Sequence, residues 1–165
     1  MNFGRLGRHL LAMPGAVRRA FPPSAMAAIE QAIARSETQH RGEVRFAVEA
    51  ALDASSIVAG ESARERAVEV FAQLGVWDTA ENNGVLIYLL LADRDVEIVA
   101  DRGLNGKVSQ AEWEQVCRAM EAELAARRYQ AAVMEGVRRC GELIGRHFPP
   151  RRNEPDELAD RPAVL

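Results

Sequence analysis

An unbroken apolar run at residues 85–91, VLIYLLL, is the strongest hydrophobic pattern in the chain. A strand of that composition is covered on both faces, so a layer of other structure is expected above and below it. The polar turn Ala92-Asp93-Arg94-Asp95 follows. Residues 96–101 then alternate, with Val96, Ile98 and Ala100 on one face and Glu97, Val99 and Asp101 on the other. Two such runs predict an antiparallel hairpin. The hairpin returns Asp101-Arg102-Gly103 to the start of the first strand, beside Asn82-Asn83-Gly84.

The flanking segments switch between periods of two and 3.6 residues. Met26, Ile29, Ile33, Ser36 and His40 share one stripe of a helix for which Ser24 is the expected N-cap, with His40 as a helix-terminal histidine. After Gly42, residues 44–50 alternate with Val44, Phe46 and Val48 inward and Arg45 and Glu49 outward. Ser62-Ala63-Arg64-Glu65 is a capping-box pattern that opens a helix through Leu74, with Ala67, Val70, Phe71 and Leu74 on its buried side. Strand, helix and apolar strand make a βαβ unit whose two strands run parallel. Ser109-Gln110-Ala111-Glu112 is a second capping box, ahead of Trp113, Val116, Cys117, Met120 and Leu124 on one face. A last helix over residues 130–147 carries Val133, Val137, Cys140 and Ile144. The pattern predicts one α/β domain with a small mixed sheet of three or four strands and helices on both faces.

Composition narrows the function classes. With 165 residues, 48% of them hydrophobic and 27% charged, the chain is long enough to bury one sizeable core. A net charge of −3, with no basic stripe interleaved with aromatics, argues against nucleic acid as a partner. Cys117 and Cys140 fall within helices and read as buried thiols. No stretch of about 18 apolar residues exists, so no membrane-spanning helix is expected. Residues 1–20 read as a basic amphipathic leader, because Phe3, Leu6, Leu10 and Met13 recur at helical spacing beside Arg5 and Arg8. Pro14 and Gly15 interrupt it, which makes a poor signal peptide, and a cytoplasmic location is expected. The leader is either flexible or docked on the domain, or in peripheral contact with a membrane. Residues 21–148 form the domain, and residues 149–165 have the proline and charge content of a disordered tail.

The segment NNGVLIYLLLADRDVEIVADRGLNG resembles the signature of the TPM domain family, in which Asn-Gly opens a hydrophobic strand, an Asp-Arg turn follows and a glycine-rich loop leads into a helix. Residues 38–48, TQHRGEVRFAV, are similar to the family's first strand, and the resemblance covers roughly residues 21–148. It implies a three-layer α/β/α sandwich. Some members are described as divalent-metal-binding domains or weak acid phosphatases, others as assembly or quality-control factors. The loop departs from the family's Gly-Tyr-Gly-Leu-Glu-Gly and following Asp. Asn105 stands in place of the Glu, and Ser109 and Gln110 supply no Asp. Loss of two carboxylates weakens a hard-cation site, and Asp101 compensates in part.

The candidate site follows from topology. Asp78, Glu81, Asn82 and Asn83 precede the apolar strand, while Asp101 and Asn105 follow its partner, so both loops meet at one end of the sheet. Their oxygens suit Ca²⁺ or Mg²⁺, and no organic cofactor is expected. Glycines 84, 103 and 106 would let the backbone approach a ligand, and the Ser109 helix N-terminus would favour an anion. The same residue types also serve ordinary turns. Asp93 and Asp95, near Asp53 at the opposite end, read as a solvated hairpin turn. The leading expectation is a non-catalytic or weakly active TPM-type binding module for a divalent cation or a protein partner. The alternatives are a metal-dependent acid phosphatase at that same end, with the metal activating water, and a membrane-surface adaptor acting through residues 1–20.

Overall fold

The apolar strand is buried at every position, and the rest of the fold is arranged to cover it. A computed structural model describes residues 3–10, 15–151 and 155–165. Met13 and Pro14 of the leader and residues 152–154 of the tail lie outside the described residues. Among the described residues the elements follow in the order α1 Phe3–Leu10, α2 Ala16–Ala20, α3 Pro23–Glu37, β1 Val44–Glu49, α4 Ala54–Ala59, α5 Ala63–Gln73, β2 Val85–Leu90, β3 Asp95–Ala100, α6 Gln110–Ala125, α7 Tyr129–Gly145 and β4 Ala163–Val164. A single 3₁₀ turn, Arg102–Leu104, lies between β3 and α6.

The sheet has the order β3-β2-β1-β4 and is mixed. β1 and β2 run parallel from Val44↔Val85 to Glu49↔Leu90, as the βαβ pattern requires. β2 and β3 run antiparallel, with Ile87 opposite Ile98 and Val85 opposite Ala100. Alternation sorts the strand residues into two cores. Val44, Phe46, Val48, Val85, Ile87, Leu89, Val96 and Ile98 face α3, α6 and α7. Ala47, Leu86, Tyr88, Leu90 and Val99 face α4 and α5. The result is the three-layer α/β/α sandwich.

Both capping boxes are present, with the Ser62 hydroxyl accepting from Glu65 N–H and the Ser109 hydroxyl from Glu112 N–H. In the second core the Tyr88 hydroxyl donates to Glu49 Oε2 at 2.7 Å, and Arg66 grips both oxygens of Glu49 at 2.9 and 3.2 Å. Glu49 therefore points into a packed layer, and its charge is met by a fork of two parallel hydrogen bonds. Burial pushes the Cys117 thiol up to about 12 and raises that of Cys140 as well, so both stay protonated.

Four expectations are corrected. α3 starts at Pro23 with Pro22 at the N-cap and no side-chain cap, because proline at the first helical position has no N–H to satisfy. α4 was not foreseen, since six residues show less than two helical turns of periodicity; Asp53 caps it by accepting from Ser56 N–H at 2.9 Å. Asp93 is not simply solvated, because Arg5 Nε lies 2.8 Å and His9 Nε2 3.1 Å from its Oδ2, while Leu52 N–H donates to His9 Nδ1 at 2.9 Å. The Arg5–Asp93 and Leu52–His9 hydrogen bonds dock α1 against α4 and the hairpin turn. Finally, the segment expected to be a disordered tail adds a strand: Ala163 and Val164 pair in parallel with Ala47 and Val48 on the open edge of β1. The edge of β1 offers unpaired backbone groups that the charged segment satisfies in spite of its composition.

Candidate functional site

The N-terminal ends of β1 and β2 and the C-terminal end of β3 share one end of the sheet, as the hairpin register requires. Two loops are tied together there. Asp101 N–H donates to Gly84 O at 2.9 Å, and Gly103 N–H donates to Asn82 O at 2.7 Å. Asn82 sits at φ 52°, in the left-handed region that asparagine tolerates better than most residues.

Glycine explains the closeness. A Cβ on Gly103 would lie 2.4 Å from the carbonyl oxygens of Glu81 and Asn82, and one on Gly84 would lie 2.0 Å from Val76 O. Both glycines therefore serve contacts of the protein with itself, not the approach of a ligand. Gly106 takes φ 73° in the turn before α6.

The six expected ligand residues divide into three groups. Asp78 and Asn105 are exposed. Glu81 is ion-paired with Arg41 and, at 3.2 Å, with Arg151, and Asn82 Oδ1 accepts from Arg102 Nε at 2.9 Å. These oxygens already have cationic donors, so a metal would have to displace arginine to use them. Asn83 and Asp101 differ. Asn83 is 1% exposed and Asp101 9% exposed. Asn83 Nδ2 donates to Arg41 O at 2.8 Å and Asp101 Oδ1 accepts from Arg102 N–H at 2.7 Å, yet Asn83 Oδ1 and Asp101 Oδ2 are buried without a donor among the described residues. A buried acceptor left unpaired costs about 1–3 kcal/mol, so a cation or an ordered water is the physical complement of each. The oxygens at 83 and 101 are hard donors of the kind Ca²⁺ and Mg²⁺ take, while Glu81 Oε1 and Asn82 Oδ1 are already engaged by arginine. Two protein ligands fall short of the six to eight oxygens Ca²⁺ takes.

Beside these loops the structure assembles carboxylates that sequence reasoning missed. Glu37, Asp156 and Asp160 bring oxygens within 4.8 Å of one another. With His40, Arg41, Glu43 and Arg151 they line a cleft of about 360 Å³. Burial, and then Asp160, push the Glu37 carboxyl up to about 9, and burial lifts Glu43 to about 7. His40 is driven down to about 4 by burial, so it is a neutral core histidine, with its Nε2 3.0 Å from Ser36 Oγ. The only signal for this cluster was the spacing of Asp156 and Asp160, and it lay in residues whose composition reads as disorder.

The fold and its loops define a small α/β/α domain with a polar loop site at one end of a mixed sheet. The chain belongs to the TPM domain family, whose model matches residues 18–143. The NMR structure of BA42 protein from the psychrophilic bacterium Bizionia argentinensis is similar, with a TM-score of 0.76 at 26% identity, over 86% of this chain and 93% of that one. A comparison with curated proteins returns no match. No helix among the described residues is long and apolar enough to cross a membrane.

Proposed function

We propose that the protein is a TPM-type binding module that takes a divalent cation at the sheet end built from the loops around Asn83 and Asp101. One observation carries this reading: two buried oxygen acceptors, Asn83 Oδ1 and Asp101 Oδ2, lack donors on loops that hydrogen-bond to each other. The carboxylate and amide oxygens are hard donors of the kind Ca²⁺ and Mg²⁺ prefer, and a bound cation would supply charge neutralisation there. Asn83 and Asp101 are the residues that would hold it. Their small number, with arginines at 41, 102 and 151 nearby, makes the expected binding weak and open to exchange with water.

A backbone NMR titration with Ca²⁺ and then Mg²⁺ tests the reading. Saturable shifts confined to residues 78–84 and 101–106, lost in Asp101→Asn, are the expected result. No shift up to millimolar cation would overturn the cation reading and leave a protein partner as the ligand class for these loops. Phosphomonoester turnover that disappears with chelator and in Asp101→Ala would turn the module into an enzyme.

A further inference from the structure

The segment 155–165 crosses the same end of the molecule and is held by contacts of several kinds. Glu43 accepts from the backbone N–H groups of Glu157 and Leu158, both at 3.2 Å. Glu157 Oε2 accepts from Ala80 N–H at 2.9 Å, inside the loop that leads to Asn83. Arg45 donates to Arg161 O at 3.3 Å, and Leu165 N–H donates to Val48 O at 3.0 Å. Two residue pairs of β4 complete the attachment, against six between β1 and β2.

Between this segment and α3 lies the close approach of Glu37 to Asp156 and Asp160. Carboxylates whose oxygens lie within 4.8 Å of one another repel unless one carries a proton, and Asp160 Oδ1 is buried with no donor among the described residues. Glu37 already accepts Val44 N–H at 2.8 Å on Oε1. A proton on Glu37 is the donor that Asp160 lacks.

We propose that residues 155–165 form a strap that closes over the β1 edge and the 78–83 loop through a shared-proton contact between Glu37 and Asp160, and that the strap opens when this proton is lost. The consequence for the 78–83 loop rests on the site proposed above; the strap itself does not. The charged groups facing Glu37 are Asp156 and Asp160 from the strap, Glu43 and Arg45 from β1 and its approach, and His40, Arg41 and Arg151 around the cleft. Arg45 is the near cation. Burial lowers its affinity for a proton while Asp160 and Glu37 restore it in part, so it offsets one carboxylate charge and leaves the other carboxylates to repel.

Burial, followed by Asp160, holds the Glu37 carboxyl near 9 in the closed strap, and release returns it toward the ordinary 4.5. A carboxyl raised on closure favours the closed form fully below the open-state value and loses that contribution as pH rises through the closed-state value. The strap is therefore tightest in acid and loosest above pH 9.

Carbon-detected NMR of the full chain from pH 5 to 10 tests this, because ¹³Cα shifts of Ala163 and Val164 report strand against coil without depending on amide exchange. The expected result is a strand-to-coil shift in these two residues as pH passes about 9, while residues 85–90 keep their shifts. Glu37→Gln, whose amide donates to Asp160 at every pH, should hold the strand shifts up to pH 10, and Asp160→Asn should do the same. Strand shifts unchanged across the range in the wild type, or titration of both variants like the wild type, would overturn the proposal. A response to added Ca²⁺ at constant pH in place of a response to pH would overturn it in favour of a cation clasp. No cation enters the pH series, so failure of the strap and failure of the loop site are separable.

Discussion

The two ends of the central hairpin carry the same kinds of residue and treat them differently. At the turn end, Asp53 caps α4, and Asp93 meets Arg5 and His9, so the acidic oxygens there have donors that hold helices in place. At the loop end, Asn83 Oδ1 and Asp101 Oδ2 are buried without donors among the described residues, and Glu37 and Asp160 bring oxygens within 4.8 Å of each other although both are acids. Asp, Asn and Gly in a loop are thus ambiguous by composition. What separates scaffold from candidate site is whether neighbouring elements bring N–H groups and guanidinium groups to the buried oxygens.

The strongest way to break the comparison is at Gly84. Gly84→Ala should cost about 3 kcal/mol, because its methyl group collides with the backbone of Val76, which cannot swing aside as a side chain could. Urea denaturation should show it. An equally stable variant would mean that the loop end is loosely built and that its unpaired oxygens reach water. At the turn end, His9→Ala removes the acceptor of Leu52 N–H and should cost about 2 kcal/mol, with faster amide exchange at Leu52 and along α1. Exchange unchanged in this variant would show that α1 is held by other contacts.

Ser109→Ala tests the entry to α6 and should cost about 1 kcal/mol in thermal unfolding. The Ser109 N–H and hydroxyl hold the Glu112 carboxyl below its usual range. A carboxyl depressed on folding contributes stability above its unfolded value and loses it as pH falls, so the gap between Ser109→Ala and wild type should narrow from pH 7 to pH 3. The smallest expected effect on stability is that of Asp101→Asn, under about 1 kcal/mol, because the amide oxygen still accepts from Arg102 N–H. That variant sharpens the comparison most, since it should abolish cation-dependent shifts while leaving the fold intact. Retained shifts would move the site elsewhere.

Much of this was legible in the linear pattern because it rests on short-range physics. The run VLIYLLL reads as a doubly covered strand and supplies β2 through Leu90, and both Ser-x-x-Glu boxes cap the helices they precede. The convergence of Asn82–Gly84 with Asp101–Gly103 was also legible, since antiparallel pairing allows no other placement. Individual roles were less so. Gly84 and Gly103 were expected to make room for a ligand and instead make room for Val76, Glu81 and Asn82. Glu81 and Asn82, expected as metal ligands, also hold arginines from 41, 102 and 151, two of them far away in the chain, which the linear pattern does not show.

By itself the sequence determined the α/β/α class, the strand order within the βαβ-hairpin unit and the end of the sheet where polar loops gather. Each of these follows from hydrophobic period, capping and register, which act over a few residues or through one pairing rule. Only the tertiary structure decided which oxygens keep their donors, that α1 docks through His9 and Arg5, and that residues 155–165 form a strap against β1 instead of a free tail. Those outcomes depend on groups distant in the chain meeting at hydrogen-bond distance, such as Leu52 and His9, 43 positions apart, and Leu158 and Glu43, 115 apart. Contacts of that kind leave no periodic trace in a chain.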